Sequence, residues 1–324
     1  MTNFKTMDLN LLRVLDAILR EGSTVAAARR LGLSQPAVSS ALGRLRNSMG
    51  TELFIRRGQG LEPTDHARAL MQPLQQALSD LEEILSADDT FDPLVANRVF
   101  RLSGSDLFGE LLMPGLVDML SREAPNIRLQ LITLPEVYDR EFFEKQRVDL
   151  LLAPSTRHFD GADSVPLMSA PFAVIARSGH PQLEAASLSP GATIPLDLFC
   201  SLDHVLFSPA SDMHGMTDAA LERIGRTRRI AMTVPYFSGV YRAVARSDLI
   251  GLIPRSLARL VAEDVGLSLY QPPVDVARVD LSMSWLRRST GNQAHRWLRN
   301  RVAQVLEPFD EPETEARSDP AFQK

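Results

Sequence analysis

The sequence predicts three successive parts: a small helical head with a wing, one long helix, and a larger α/β body. Three observations support this division. Short helical stretches joined by tight turns fill the first 64 residues, an apolar stripe with helical spacing follows, and β-rich segments alternate with helices from Val99 to about Leu306. A chain of 324 residues is long enough for at least two domains.

The composition is that of an ordinary globular protein, with 44% hydrophobic and 23% charged residues. A single cysteine, Cys200, excludes an internal disulfide and a cysteine-rich zinc site. The N-terminus does not follow the signal-peptide pattern, and no run of about 18 apolar residues could span a membrane. We therefore expect a cytoplasmic protein with no membrane partner.

Charge is distributed unevenly along the chain. Residues 1–78 contain ten basic and six acidic side chains, a net charge of +4, whereas the other 25 basic and 34 acidic side chains give −9. A basic head on an acidic body is typical of a protein in which one part meets phosphate. Chance clustering is the alternative explanation.

The first two helices of the head have clear boundaries. Apolar residues recur at helical spacing between Leu9 and Ile18 and predict an amphipathic helix. A second helix, Thr24–Leu31, is capped by Ser23 or by its own first residue and ends at Gly32, which suits the left-handed conformation. We expect Leu33 to pack into the core below the turn.

A third helix, from Gln35 to Arg46, completes a helix-turn-helix pattern. Ser34 is a suitable N-cap, and Pro36 lies in the first turn, where its missing N–H does no harm. In such a motif the second helix enters the DNA major groove with its N-terminal residues at the base edges. Side chains expected on this surface are Ser34, Gln35, Pro36, Ser39, Ser40 and Arg44.

Two short strands around a glycine-rich turn follow between Leu53 and Thr64 and predict a wing. Arg56 and Arg57 lie on it, where they would reach flanking phosphate or the minor groove. The whole series predicts double-stranded DNA binding. The alternative is a three-helix packing module with solvated arginines.

Residues 8–64 resemble the winged helix-turn-helix of LysR-type transcriptional regulators, because LGLSQPAVSSALGRLR is close to that family's core motif. The match continues to about Leu306. The segments DLNLLRVLDAIL, LEPT, DTFDP and FRLSGSD resemble the branch that includes nodulation and aromatic-degradation regulators. The resemblance implies base-edge positions for Gln35, Pro36, Ser39 and Ser40 and a wing position for Arg56. Many relatives have a longer polar side chain where Ser40 stands, so base preference is expected to differ.

The long helix is predicted to mediate dimerisation within a linker region, residues 65–96. Its apolar stripe has no obvious cover within the head, so the same helix of a second chain is the expected partner. The stripe residues assigned to this seam are Leu70, Leu74, Leu78 and Leu81. A helix packed on its own domain is the alternative. Pro73 lies within the pattern and predicts a kink or a late helix start.

The body is expected to bind a ligand. In open α/β folds, ligands lie at the carboxyl ends of strands against helix N-termini. Ser103 and Ser105 follow the first body strand, where their hydroxyls and nearby backbone N–H groups could hold a carboxylate. Alternatively, both serines only cap the next helix.

The family resemblance implies a two-lobed α/β effector domain, residues 97–307, similar to periplasmic binding proteins. The first lobe would contain about residues 97–168 and 270–307, and the second about residues 169–269, with the chain crossing near 168–171 and near 265–273. Positions carried over from the family place the effector among Ser103, Ser105, Phe172, His214, Tyr236 and Ser284. His214 could instead be a solvated loop residue. Relatives that sense salicylate-like acids tend to have a histidine where Ala170 stands, which makes salicylate itself an unexpected effector.

No nucleophile elbow, phosphate loop, dinucleotide fingerprint or zinc spacing occurs, so we expect no enzyme activity, cofactor or metal. The main hypothesis is a transcriptional regulator that binds promoter DNA under control of a small aromatic or apolar acid. It would act as a homodimer or tetramer and recruit RNA polymerase. A ligand-independent architectural or silencing DNA-binding protein is the alternative, and a transporter's solute-binding protein is a third. The tail, residues 308–324, is expected to be disordered.

Overall fold

The computed structural model describes residues 8–57, 60–85, 91–156 and 159–311. The chain divides into two compact units, Met1–Thr90 and Phe91–Lys324. Three predicted features fall wholly or partly outside the described residues: the tip of the wing at 58–59, the linker residues 86–90, and the tail from 312 onward. In the described part of the chain, no helix is both long enough and apolar enough to cross a membrane.

The first unit is a winged helix-turn-helix followed by a long helix. Its described elements are α1 (Asn10–Glu21), α2 (Thr24–Leu31), α3 (Gln35–Met49), β1 (Phe54–Arg57), β2 (Gly60–Pro63) and α4 (Asp65–Leu85). The strands β1 and β2 pair antiparallel to form the wing. Apolar residues of α1, including Leu15 and Ile18, lie at the centre of the core, with Val38 and Leu45 of α3 packed among them.

Local signals determine the turn between α2 and α3. The Ser23 side chain accepts a hydrogen bond from the Ala26 N–H at 3.0 Å and caps α2, which ends at Gly32 with a positive φ of 66°. The Leu33 N–H then bonds to the Ala28 carbonyl at 2.9 Å, closing the helix end. The expected core position of Leu33 is wrong, because its side chain is 49% exposed and Leu31 packs on the core instead.

The premise that nothing in the head covers α4 is also wrong. Ala67 and Leu74 are buried in the core of the head, and Leu70 and Leu78 pack partly against it. The physical reason is the width of the apolar face of α1, which α2 and α3 do not cover alone. Of the four residues assigned to a dimer seam, Leu81 is the most exposed, at 41%.

The helix α4 is capped by Thr64, and its start is not delayed by proline. The Thr64 hydroxyl accepts a hydrogen bond from the Ala67 N–H at 3.3 Å, and the helix continues through Pro73. The expectation of a late start is therefore wrong.

The second unit contains two five-stranded sheets in its described part. Its strands are β3 (Val99–Gly104), β4 (Arg128–Thr133), β5 (Leu150–Pro154), β6 (Ala162–Ala170), β7 (Phe172–Arg177), β8 (Asp203–Phe207), β9 (Arg229–Val234), β10 (Ile250–Pro254), β11 (Leu267–Tyr270) and β12 (Val279–Leu286). The first sheet has the order β4-β3-β5-β12-β6 and the second β11-β7-β10-β8-β9. In each sheet three strands pair in parallel and two more are added through antiparallel pairings, so one strand of each sheet runs opposite to the other four. This is the arrangement of a two-lobed α/β domain.

Helices cover both sheets. They are α5 (Asp106–Leu111), α6 (Met113–Glu123), α7 (Arg140–Gln146), α8 (Pro181–Ala185), α9 (Leu196–Ser201), α10 (Met216–Glu222), α11 (Phe237–Ala245), α12 (Arg255–Val265) and α13 (Gln293–Leu306). Helix α13 packs on α6 and β6 of the first lobe, whereas α11 and α12 pack on the second sheet. One large buried apolar cluster extends through both lobes.

The chain passes between the lobes at Pro171 and again between Tyr270 and Val279. The first crossing lies about two residues after the approximate boundary at 169, and the second begins at the approximate boundary at 270. Ser169 pairs with Asp280 in the first sheet, and Tyr270 pairs with Val174 in the second.

The tail expected to be disordered from residue 308 is ordered to Glu311. A 3-10 turn, Glu307–Phe309, follows α13, and the Asp310 carboxylate accepts a hydrogen bond from the Ser169 N–H at 2.8 Å. The Arg255 Nε donates to the Glu311 carboxylate at 2.6 Å, and both of these side chains are 11% exposed. Composition alone had indicated disorder, but these specific ion pairs fix the segment against α12.

Two buried histidines each lie between a backbone carbonyl and an arginine. His204 Nε2 donates to the Phe199 carbonyl at 2.9 Å, and Arg228 donates to Nδ1 at 3.2 Å. His295 is bound in the same way, by the Asp149 carbonyl at 2.9 Å and by an arginine at 2.8 Å. Burial lowers the pKa of each ring to about 4, so both histidines are neutral in the folded protein at pH 7.

These two rings predict acid destabilisation of the second unit. An unfolded histidine has a pKa of about 6.5, so the unfolded state takes up protons first as the pH falls. The stabilisation is complete above about pH 6.5 and is lost toward pH 4, by up to about 3 kcal/mol for each ring. Urea unfolding can be followed by tryptophan fluorescence, since both tryptophans lie in this unit. The double variant His204→Gln/His295→Gln should show a flatter pH dependence, and an unchanged slope would contradict the assignment.

The ordered tail predicts a stability difference between two glutamates. Glu311→Gln leaves buried arginine charge poorly compensated and should lower the free energy of unfolding by about 3 kcal/mol. Glu307→Gln, a nearby exposed control, should change it by less than about 0.5 kcal/mol. Equal stability of the two variants in the same urea titration would show that the segment is not held in solution.

Candidate functional site

The outer surface of α3 presents the polar side chains that the sequence indicated. Ser34 caps the helix by accepting from the Ala37 N–H at 3.4 Å, and Pro36 occupies the first turn. All eight residues predicted to contact DNA are exposed, six on or just before α3 and two on β1: Ser34, Gln35, Pro36, Ser39, Ser40, Arg44, Arg56 and Arg57. The structure thus brings these side chains to the surface, where a major groove could receive them.

The Gln35 side chain is held by two hydroxyl groups. Its Nε2 donates to the Ser39 Oγ at 2.8 Å and to the Thr24 Oγ1 at 3.3 Å. Because both amide protons are used, the carbonyl oxygen of Gln35 is left to accept from a base. Thr24 was missed by the sequence analysis as a neighbour of this surface. Its position at the start of α2, facing the start of α3, was the available signal.

Two arginines of the surface are paired with carboxylates. Arg57 donates to Glu62 across the wing at 2.9 Å, and this hydrogen bond lowers the pKa of the Glu62 carboxyl. Arg44 donates to Asp8 at 2.8 Å. The pKa of Asp8 is lowered first by a hydrogen bond from the Asn10 backbone and then by Arg44. Such exposed pairs stabilise little, so either arginine can exchange its carboxylate for a phosphate.

A cavity of about 700 Å³ lies in the second unit. The carboxyl ends of parallel strands from both sheets reach its wall: Gly104, Thr133 and Pro154 from the first lobe, and Phe207 and Pro254 from the second. Ligands of open α/β folds bind at such strand ends, and the volume is within the usual range for small-molecule sites. The position therefore fits a ligand site between the lobes.

The cavity wall is mainly apolar and aromatic. The rings of Phe207 and Phe237 are stacked, with centroids 3.8 Å apart and planes at 11°. Phe172 and Tyr236 add two more aromatic side chains. Hydroxyl groups are supplied by Ser105, Thr133, Tyr138, Thr156 and Thr217. An aromatic ligand with a few hydrogen-bonding groups would match this surface.

Two side chains of α5 cross the cavity edge to bind α11. The Asp106 carboxylate accepts hydrogen bonds from the Phe237 N–H at 3.0 Å and the Ser238 N–H at 2.9 Å. One turn further along α5, Glu110 accepts from the Tyr241 hydroxyl at 2.9 Å. Burial and this hydrogen bond raise the pKa of Tyr241, which keeps the donating proton in place. The two lobes are thereby linked beside the cavity.

Three of the six predicted effector residues line the cavity: Ser105, Phe172 and Tyr236. The Ser105 side chain makes no capping hydrogen bond to α5. The alternative that this serine only caps the next helix is therefore wrong.

The other three predicted effector residues are not part of the described cavity wall. Ser103 is buried, with its hydroxyl 3.3 Å from the Thr133 carbonyl. Ser284 is an odd number of positions from the wall residue Leu281 on β12, so it faces the other side of the sheet and bonds to Ser164 at 3.0 Å. The exposed His214 turns away, and its Nε2 lies 3.0 Å from a Glu222 oxygen.

Sequence analysis missed most of the polar wall. Thr133 ends β4, Thr156 follows β5, and Thr217 lies in the first turn of α10. The strand-end rule applied to β3 would have found the two first-lobe threonines if it had been applied to β4 and β5 as well. Among the described residues, no cluster of three metal-ligating side chains occurs.

Comparison with known proteins decides the family. Residues 9–68 match the bacterial regulatory helix-turn-helix protein model of the lysR family, and residues 95–307 match the LysR substrate binding domain. The chain belongs to the LysR family of transcriptional regulators. As a LysR-family regulator it combines a DNA-binding helix-turn-helix with a ligand-binding domain, as the sequence motifs predicted.

Two curated relatives match over nearly their whole length. The HTH-type transcriptional activator NahR of Pseudomonas putida is 33% identical over 295 residues, which cover 91% of this chain and 96% of NahR. Nodulation protein D 3 of Rhizobium leguminosarum bv. phaseoli is 30% identical over 302 residues, covering 93% and 97%. These names confirm the branch that the motifs indicated, which includes aromatic-degradation and nodulation regulators.

A solved structure confirms the architecture. The crystal structure of a "probable transcriptional regulator" from Pseudomonas aeruginosa has a TM-score of 0.66 and 30% sequence identity to this LysR-family chain. The similarity covers 92% of this chain and 97% of that one. Both domains of the predicted fold class are therefore shown.

The α3 surface predicts distinct effects for base-reading and phosphate-binding residues. Gln35→Ala should cost about 1–3 kcal/mol at the preferred site and relax base preference there, because the Gln35 amide oxygen would meet a base edge. Arg57→Ala should weaken binding to all sequences and reduce the salt dependence of binding. Fluorescence anisotropy with specific and random duplexes at several salt concentrations would separate the two effects. Equal loss on both duplexes for Gln35→Ala would refute its assignment to base reading.

Proposed function

We propose that this protein is a DNA-binding transcriptional regulator whose two-lobed domain binds a small-molecule effector in the cavity between the lobes. The observation that carries the proposal is the combination in one chain of an exposed reading surface on α3 and a largely apolar cavity at the strand ends. The protein acts by binding alone, and no catalytic step is assigned to it.

The DNA contacts follow from the exposed side chains. Gln35, Ser39 and Ser40 meet base edges in the major groove, while Arg56 and Arg57 on the wing meet phosphate. Because the head has a net positive charge and the body a net negative one, DNA phosphate is attracted to the head and not to the body. Thr24 positions the Gln35 amide through its hydroxyl.

A homo-oligomer suits this mode of reading. Two heads match two half-sites about one helical turn apart or multiples of it. Leu81 continues the apolar stripe of α4 beyond the part that packs on the head, and its exposed side chain supports a contact with α4 of a second chain. The seam is shorter than the four leucines first assigned to it, since Leu74 is already buried within the head. Both a dimer and a tetramer are compatible with such a contact.

Effector binding would shift an equilibrium between two arrangements of the oligomer on DNA. A ligand that contacts both lobes binds with different affinity when the relative position of the lobes changes. This difference in affinity is what allows the ligand to shift the equilibrium between the arrangements. Altered spacing of the heads would then change DNA bending and the recruitment of RNA polymerase. The name of the relative nodulation protein D 3 supports a nodulation setting for this branch, and that of NahR supports a transcriptional activator.

A footprint on the DNA upstream of the protein's own gene tests this function, at physiological salt, with and without a panel of aromatic acids and phenols. We expect protection of an interrupted inverted repeat that shortens or shifts with one compound, because the effector changes the spacing of the heads. Protection that no compound alters would favour the architectural or silencing alternative. Absence of protection there and in a genome-wide binding experiment would refute the regulator.

A further inference from the structure

The charges on the described part of the cavity wall are all of one sign. The ionisable carboxyl side chains on this part of the wall are those of Asp106 and Glu136. Among residues 91–156 and 159–311, no lysine, arginine or histidine lines the cavity. A carboxylate ligand taken out of water requires a cation or several hydrogen-bond donors to replace its hydration. The described wall supplies no such cation.

One anion-attracting group near the wall, the N-terminus of α11, is already occupied. The N-terminus of α11, a helix of nine residues, points its first N–H groups toward the cavity edge. Asp106 from the other lobe accepts from two of them, at 3.0 and 2.9 Å. A second carboxylate at this position would meet the Asp106 charge instead of unpaired donors.

The remaining polar groups of the wall are uncharged. They are hydroxyls, such as those of Ser105 and Thr217, set among aromatic and aliphatic side chains. An engineered apolar cavity of about 150 Å³ holds one benzene ring, so the volume of about 700 Å³ accommodates two or three rings. Hydroxyl and carbonyl groups on such a ring system can pair with wall hydroxyls without any charge being buried.

We propose that the cavity selects an uncharged aromatic molecule of two or three rings over an aromatic carboxylate of the same size, and that Asp106 sets this preference. The proposal rests on the proposed function, in that the cavity is the effector site. It replaces the expected effector class, a small aromatic or apolar acid, by an uncharged one.

Glu110 provides a matched control for Asp106. Both acids lie on α5, and each bonds to α11 across the lobe boundary. However, Glu110 does not line the cavity, whereas Asp106 does. A general effect of losing one negative charge or one lobe contact would appear in both Glu110→Gln and Asp106→Asn, but an effect of wall charge would appear only in the latter.

Isothermal titration calorimetry of the full chain at pH 7 with biphenyl-4-ol and biphenyl-4-carboxylate tests the proposal. The phenol is uncharged at this pH, and the two probes differ in the group attached to the same ring system. We expect the wild-type protein to bind the phenol at least about tenfold more tightly. Asp106→Asn keeps an acceptor oxygen for α11 and should reduce this ratio by about tenfold, whereas Glu110→Gln should leave it unchanged.

Thermal unfolding of each variant verifies that it is folded, and Asp106→Ser offers a second neutral cap if the asparagine variant is not. Tighter or equal binding of the carboxylate by the wild type would overturn the proposal, and so would failure of the phenol to bind. A ratio that stays the same in both neutral variants would remove Asp106 from its role and overturn it as well. A DNA footprint of the same preparation reports on the proposed function separately, so a protein that protects DNA but prefers the carboxylate refutes only this inference.

Discussion

The hydrogen bonds that Asp106 makes to the N-terminus of α11 are the contact on which the ligand-binding unit depends. They join groups 131 residues apart in the sequence and belong to different lobes. A carboxylate at a helix N-terminus satisfies backbone N–H groups and complements the helix dipole, so this link is stronger than an ordinary surface hydrogen bond. Together with the Glu110–Tyr241 bond, it sets the distance between the strand ends of the two sheets. The width of the cavity between the lobes depends on that distance.

A second polar network shapes the opposite wall. Arg228 is almost completely buried and donates two hydrogen bonds of 2.8 Å to the Asp218 carboxylate. Asp218 also accepts from the Gly215 N–H at 2.8 Å, which fixes the first turn of α10. Because Gly215 and Thr217 of this turn line the cavity, the buried pair preorganises one side of the ligand site. Removal of either partner would leave an uncompensated buried charge, so the network specifies one arrangement of the loop.

Local signals explain why the head was predictable. Ser23, Gly32, Ser34 and Pro36 act on their own turns, and each took the position that its chemistry favours. Burial depended on tertiary partners and was less predictable: Leu33 is exposed and Leu74 is covered by α1.

In the body, the alternation of strands and helices predicted the sheets, because hydrophobic periodicity is a local property. Which residues face the cavity depends on contacts between distant segments. The pairing of Asp106 with α11 and that of Glu311 with α12 have no sequence signature, and Ser284 was displaced from the site by the two-residue period of its strand.

The double role of Asp106 also constrains how the ligand range of this domain can evolve. Replacement of Asp106 by a neutral residue during evolution would remove the negative charge that repels anions from the wall. The same replacement would weaken the connection between the lobes. An anionic ligand could then restore the connection by placing its own carboxylate at α11. In such a descendant the contact between α5 and α11 would depend on the ligand, so a single substitution would convert a lobe contact made within the chain into one that the effector completes.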